Sequence, residues 1–163
     1  MQRPYFELNF RPNFALVTVV RRFVSEFNRR FLDEPDSARV ALATHELLEN
    51  AVKFSADGGT TIRMEIVDTP ERDKRVRVIL RNRAEAGNID AVKRLLAGLT
   101  DAASPFGFYQ QLLVKRAKIR DGSGGLGLAR ICAEAEMDVV CNVDGDIITI
   151  EASSMIENGG ARA

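Results

Sequence analysis

The sequence contains few of the residues that mark metal-binding or disulfide-rich proteins. Among its 163 residues there is no tryptophan, one histidine (His45) and two cysteines, Cys132 and Cys141. Two cysteines do not make a metal site or a disulfide framework. We therefore expect both cysteines to lie in the interior as small hydrophobic residues.

Neither sign of charge is in excess, and no hydrophobic run is long. The chain has 23 lysine and arginine residues and 23 aspartate and glutamate residues, so the net charge is zero. Such a chain has no overall field that attracts nucleic acid or an anionic membrane. No run reaches the roughly 18–20 apolar residues of a membrane helix, and the opening MQRPYFELNF has no signal-peptide core. We expect a cytoplasmic protein without nucleic-acid or membrane partners.

The composition that remains is that of one ordinary globular domain. Hydrophobic residues make up 45% and charged residues 28% of the chain, as in soluble proteins generally. We expect one domain over residues 1–152 and a flexible tail over 153–163, where the residues are mostly small and polar. Blocks of helices and hairpins predict an α+β fold. In this two-layer α/β sandwich, helices cover one face of a mixed, mostly antiparallel sheet.

Hydrophobic periodicity predicts the individual elements. Asp36 or Ser37 is the expected N-cap of the second helix, and Asp144-Gly145 is a strong hairpin signal. The predicted strands are 4–10, 61–67, 75–81, 139–143 and 147–150, and the predicted helices are 14–31, 37–54, 89–99, 109–118 and 126–136. The helix over 14–31 offers either a face for a homodimer or simple core packing.

One predicted helix carries a carboxylate and an amide on the same face. Glu46 and Asn50 are four residues apart, which places them one above the other. A glutamate there can act as a general base, and an asparagine oxygen suits a magnesium ion that also holds phosphates. Lys53, one turn further, can add positive charge near a phosphate. The plain alternative is a solvated glutamate and an ordinary polar helix position.

A glycine-rich loop precedes another predicted helix. Residues 121–128 read DGSGGLGL, and such glycines let backbone amides approach a polyphosphate. The following helix N-terminus adds unpaired N–H groups. The loop also fits the G-x-G-x-x-G fingerprint, but no βαβ repeat surrounds it, and it lacks the Gly-Lys-Ser/Thr of a P-loop. The plain alternative is a flexible loop before a helix. The candidate phosphate-binding residues are Gly122, Gly124, Gly125, Leu126 and Gly127.

Together, and in this order, the two segments resemble the GHKL ATP-binding superfamily of histidine-kinase catalytic domains, Hsp90, type II topoisomerases and anti-sigma-factor serine kinases. The string around Glu46 and Asn50 resembles its N-box, and residues 122–128 resemble its second glycine box. The resemblance implies that Glu46 is the general base and that Asn50 binds Mg²⁺. It also implies that the glycines hold the phosphates of ATP beneath a lid at about 86–121.

The sequence departs from that family at the first glycine box, Asp-x-Gly-x-Gly, whose aspartate binds adenine. That place reads LRNRAEAG, and Asn82 stands near the expected aspartate. The pattern is similar to stand-alone bacterial members related to the serine kinases of partner-switching systems. It implies an ATP- and magnesium-dependent serine/threonine kinase acting on a small regulatory partner of the anti-anti-sigma (STAS-like) kind. The alternative is a partner-binding module of the same fold that makes no catalytic use of ATP.

Overall fold

The computed structural model describes residues 4–71, 73–118 and 125–156, which form five strands and five helices. In chain order they are β1 (Tyr5–Phe10), α1 (Phe14–Asn28), α2 (Glu34–Phe54), β2 (Ser55–Asp68), β3 (Lys74–Ala84), α3 (Ala86–Asp101), α4 (Pro105–Lys118), α5 (Leu126–Ala133), β4 (Asp138–Asp144) and β5 (Ile147–Ile156). The order of helices and strands is the one that the sequence predicts.

The strands form one sheet in the order β1-β2-β3-β5-β4, and every neighbouring pair is antiparallel. The predicted α+β sandwich is therefore confirmed, without the parallel pairs that a mixed sheet would have. Two hairpins, β2-β3 and β4-β5, supply four of the strands, and strands joined by short turns can only pair antiparallel. Gly145 opens the β4-β5 turn with a φ of +62°, a conformation that glycine adopts without strain.

The two faces of the sheet differ sharply in polarity. On β3, Val76, Val78 and Leu80 are fully buried beneath the helices, whereas Arg75 and Arg81 alternate with them on the other face and are exposed. This period-two alternation is typical of an antiparallel sheet that packs on one side only. The hydrophobic core thus lies between the sheet and the helices.

Helix α2 crosses the helical layer at its centre, and its start differs from the prediction. The N-cap is Asp33, whose carboxylate accepts a hydrogen bond of 2.9 Å from the backbone N–H of Asp36. The predicted cap at Asp36 or Ser37 is wrong. Pro35 fits the first turn of the helix, where its missing N–H would have had no helical partner. The helix therefore begins earlier than the hydrophobic pattern suggests.

Several other boundaries also differ from the prediction, among them the start of β2, which lies at Ser55 rather than at residue 61. Helix α1 ends at Asn28 in tight turns, and α5 ends before Glu136, whose φ of +53° is left-handed. Strand β5 continues into the predicted tail as far as Ile156, which is buried and pairs with Lys74. The strand extends because the first residues of β3 need a hydrogen-bonded neighbour. Residues 157–163 lie outside the described part of the chain.

Helix α1 packs into the core along one side only. Val17, Val20 and Val24 are buried, and the ring of Phe23 meets that of Phe6 edge-on at a centroid distance of 4.9 Å. This establishes the core-packing role that the sequence left open. The homodimer stays a prediction.

Candidate functional site

The two sequence motifs meet where α2 passes the first turn of α5. A Cβ atom added to Gly127 would lie 2.7 Å from Glu46 Oε2 and 3.5 Å from Asn50 Nδ2. The first distance is shorter than any real contact of a side-chain carbon, so a larger residue at this position would force the Glu46 carboxylate to move. Glu46 is 8% exposed. The structure therefore brings the predicted base, the predicted magnesium ligand and one predicted phosphate-binding glycine into contact.

Of the remaining glycine-loop residues, the structure describes Gly125 and Leu126. Gly125 is the N-cap of α5 and has a φ of +116°, in the region that favours glycine. Leu126 is the first residue of α5 and is half-buried. Gly122 and Gly124 lie outside the described residues, so their predicted role stays a prediction.

A cavity of about 170 Å³ opens beside Asn50 and Gly125. It lies between α2, α3, the start of α5 and the helix-facing side of the sheet. Most of its lining is aliphatic, and no charged side chain of the described residues contributes to it. The lining residues are Asn50, Ala51, Phe54, Leu80, Asn82, Ala84, Asn88, Ala91, Val92, Leu95, Gly125, Leu128, Ile148 and Ile150. The helices predicted as a lid thus supply one wall of the cavity, through α3.

The polar groups of this cavity are three asparagine amides, at Asn50, Asn82 and Asn88. The amide of Asn82 has a fixed polarity, because its Nδ2 donates a 2.8 Å hydrogen bond to the carbonyl oxygen of Arg83. A carbonyl can only accept, so this bond assigns the donor to Nδ2, and Asn82 can offer a ligand the acceptor Oδ1 beside the second N–H of Nδ2. Asn82 therefore offers an acceptor, the same polarity as an aspartate, to a group with an N–H.

A buried hydroxyl lies next to Asn82 on the neighbouring strand. Thr60 pairs directly with Asn82 across β2 and β3, and directly paired residues project to the same face of a sheet. Thr60 is 4% exposed, and its Oγ1 has no hydrogen-bond partner in the described part of the chain. An unsatisfied buried hydroxyl costs about 1–3 kcal/mol, which a bound ligand or water would relieve. Sequence reasoning missed Thr60 because the predicted strand began one residue later.

Among the residues that the structure describes, Glu46 accepts a hydrogen bond on one of its two carboxylate oxygens. Arg130 Nη1 donates to Glu46 Oε1 at 2.9 Å, and Arg130 Nε donates to Glu134 Oε2 at 2.8 Å. The hydrogen bonds to Glu134 and Glu46 raise the pKa of Arg130 above its ordinary value, although burial opposes the rise. The contact of Arg130 with Glu46 was not predicted, because the local sequence of α5 gives no sign of which helix Arg130 will face.

Lys53 is not brought to the cavity. Its Nζ lies 3.3 Å from Glu49 Oε2, and His45 Nε2 lies 3.1 Å from the other oxygen of Glu49. Both side chains are therefore held on a neighbouring part of the α2 surface. The predicted contact of Lys53 with a phosphate stays a prediction without support from this geometry.

Both cysteines are half-buried rather than buried. Burial, followed by the negative charge of Asp138, raises the pKa of Cys132 to about 11, and burial also raises the pKa of Cys141. Thiols that stay protonated are poor nucleophiles and poor metal ligands.

Within the described ranges, no cluster of three or more histidine, cysteine, aspartate or glutamate side chains could hold a metal ion. No helix there is long and apolar enough to span a membrane.

Neither a protein-family model nor a curated protein matches this chain. The fold is similar to that of one chain in the crystal structure of the SiaB–SiaC complex from Pseudomonas aeruginosa, with a TM-score of 0.60 and 12% sequence identity. The similarity covers 93% of this chain and 89% of that one. At this identity the likeness shows a shared fold.

Proposed function

We propose that this protein binds ATP and Mg²⁺ and acts as a serine/threonine protein kinase on a small regulatory protein partner. The observation that carries the proposal is the contact of Glu46 and Asn50 with Gly127 beside the cavity. This contact lies at the N-terminus of α5, which is a favourable place for phosphate. It brings together a candidate base, an amide oxygen that could bind magnesium, and backbone that a ligand could approach closely.

The cavity suits a neutral heterocycle such as adenine. Its lining is apolar apart from neutral amides, and the free acceptor of Asn82 matches the exocyclic amine of adenine. The unpartnered hydroxyl of Thr60 adds a second polar atom close by. The volume of about 170 Å³ is below the roughly 300–1,000 Å³ of complete small-molecule sites. We therefore propose that the cavity encloses the adenine ring alone. The phosphates would then lie outside it, near Asn50 and the start of α5.

Each polar residue then has one role in the transfer. Glu46 would accept the proton of the attacking hydroxyl through Oε2, the oxygen that Arg130 does not bind. Asn50 would supply a magnesium ligand, with phosphate oxygens and water completing the coordination. When bound, the ion would neutralise phosphate charge. The contribution of the protein is mainly positioning and electrostatics.

The partner is part of the same proposal. The matched structure holds two different proteins in one complex, which supports a regulatory role exerted on another protein. We propose a small anti-anti-sigma or STAS-like protein as the acceptor of the phosphate.

A second candidate is a partner-binding module that makes no catalytic use of ATP. The ion pair of Glu46 with Arg130 favours it, since a carboxylate that neutralises a cation between two helices has a structural reason to be there. In that case the small cavity would be a packing feature, and the motifs would be inherited.

Calorimetric titration with ATP distinguishes the two candidates. The proteins compared are the wild type, Asn50→Ala and a control, Asn142→Ala, whose side chain is exposed on β4. We expect the wild type and the control to bind ATP only with magnesium, and Asn50→Ala to lose most of that binding. Absence of binding up to millimolar ATP would reject the kinase and favour the module.

A further inference from the structure

A long groove runs between α1 and α2, on the outer side of the helical layer. It consists of two depressions of about 770 Å³ and 450 Å³, which are continuous because they share Ser25, Arg29, Ala38 and Ala41. We call it the basic groove and define it by Arg21, Arg22 and Arg29 of α1, Ala38 and Ala41 of α2, and Arg130 of α5. The alanines leave room for an extended segment to approach the backbone of α2.

Among the described residues that line its two depressions, the basic groove has four arginines and two glutamates, Glu26 and Glu34, so its positive charge is not fully neutralised. Arg29 is paired with Glu26, which also lines the groove, and Arg130 is paired with Glu46 and Glu134. Arg21 and Arg22 are exposed and form no ion pair among the residues that the structure describes. Because the whole chain is neutral, this is a local excess of positive charge.

One end of the basic groove reaches the candidate site. Arg130 lines the groove and donates a hydrogen bond to Glu46. His45, which also lines it, directly precedes Glu46 on α2. A segment lying along the groove would therefore pass beside Arg130, the residue that contacts the carboxylate that we propose as the base.

We infer that the basic groove binds an acidic segment of the protein partner, next to the hydroxyl that the partner presents to Glu46. The inference rests on the proposed function and specifies how its protein substrate is recognised. Charge complementarity supports an acidic occupant. A polypeptide is favoured over nucleic acid, since Glu26 interrupts the row of arginines and would repel a continuous phosphate backbone.

The test is a fluorescence-anisotropy titration without nucleotide. The probe is a short labelled peptide with a central serine and acidic residues on both sides, and a peptide with lysine at the acidic positions is its control. The proteins are the wild type, Arg21→Ala/Arg22→Ala, and Arg75→Ala/Arg81→Ala. The last variant removes the same charge from the open face of the sheet, where Arg75 and Arg81 form no described ion pair.

We expect the wild type to bind the acidic peptide alone, with an affinity that falls as salt is added. Arg21→Ala/Arg22→Ala should weaken binding about tenfold, whereas Arg75→Ala/Arg81→Ala should leave it within about twofold of the wild type. The charge-reversed Arg21→Glu/Arg22→Glu variant should prefer the lysine peptide. Equal weakening by the two alanine variants, no binding by the wild type, or tighter binding of a DNA duplex would each overturn the inference.

The titration is independent of the nucleotide site. A protein that binds magnesium and ATP but not the acidic peptide would overturn the groove alone. A protein that binds the peptide but not ATP would overturn the kinase and retain the groove.

Discussion

Glu46 and Glu65 are both largely buried glutamates that pair with arginine, yet their oxygens are engaged differently. Glu65 Oε2 accepts hydrogen bonds of 2.9 and 3.0 Å from Arg63, and Oε1 accepts one from Arg77. Glu46 accepts from Arg130 on Oε1, while Oε2 lies against Gly127. A glutamate with cations on both oxygens is committed to structure, whereas Glu46 keeps an oxygen that can serve a ligand.

The surroundings of the two carboxylates reinforce this contrast. Glu65 lies on the open face of the sheet, within a row of charges that links β1, β2, β3 and β5. Its members are Glu7, Arg63, Glu65, Arg77 and Glu151. Such cross-strand pairs stabilise the sheet and its register. Glu46 lies instead against Gly127, which also approaches Asn50 at the edge of the cavity. Both glutamates form an ion pair, so the ion pair does not distinguish them. The difference is the group that faces the other carboxylate oxygen, which is a glycine for Glu46 and a second arginine for Glu65.

Replacing each glutamate with glutamine should separate the two roles and gives the largest expected effect. Glu46→Gln removes the proposed base, so the rate of ADP formation from Mg·ATP should fall about 10²–10⁴-fold, with little change in ATP affinity. Glu65→Gln turns an amide N–H toward a guanidinium and should lower the free energy of unfolding by about 1–3 kcal/mol. Its turnover per folded molecule should stay near that of the wild type.

These two measurements need a steady-state assay and a urea titration of both variants. Full turnover by Glu46→Gln would contradict the base assignment and leave Glu46 as the counter-ion of Arg130. Equal loss of stability in both variants would contradict the distinction between the two sites.

Two asparagines allow a second comparison of a candidate site residue with a residue outside the site, and its expected effect, on ATP affinity, is smaller. Asn82 is 7% exposed and keeps an acceptor toward the cavity that it lines, whereas Asn142 is exposed on β4. Asn82→Ala should weaken ATP binding about tenfold, the loss of roughly one hydrogen bond to a buried ligand. Asn142→Ala should bind like the wild type. Unchanged affinity in Asn82→Ala, measured by calorimetry, would remove adenine recognition from this residue.

The parts of the site that could be predicted from the sequence are local in the chain. Glu46 and Asn50 share a helix, and their spacing alone puts them on one face. The glycines precede a helix whose start the hydrophobic pattern marks. The strands and helices follow from periodicity in the same way.

The parts that could not be predicted depend on pairing between distant segments. Thr60 reaches Asn82 through the register of β2 against β3, and Arg130 reaches Glu46 through the packing of α5 on α2. The cavity wall at Ile148 and Ile150 depends on β5 lying beside β3. A single sequence does not encode such long-range register in any short pattern.

The row of charges on the open face of the sheet makes a prediction for acidic pH, with the smallest expected effect. Hydrogen bonds from Arg77 lower the pKa of Glu151 below its ordinary value of 4.5, although burial opposes the shift. A lowered pKa means that folding favours the charged carboxylate. Its stabilisation is therefore present at neutral pH and is lost as the pH falls from about 4.5 through the lower folded-state value.

Glu151→Gln should accordingly cost on the order of 1 kcal/mol at neutral pH, and it should lose less stability than the wild type on acidification. Arg77→Met removes the cause of the pKa shift, so the stability of this variant should also depend less on acidic pH. It should be the less stable of the two variants, because both Glu65 and Glu151 lose Arg77 as a partner. Urea titrations between neutral pH and pH 3 measure both effects. If the free energy of unfolding falls equally with pH in all three proteins, the open face adds no pH-dependent stability. The row of charges would then only help to set the strand register.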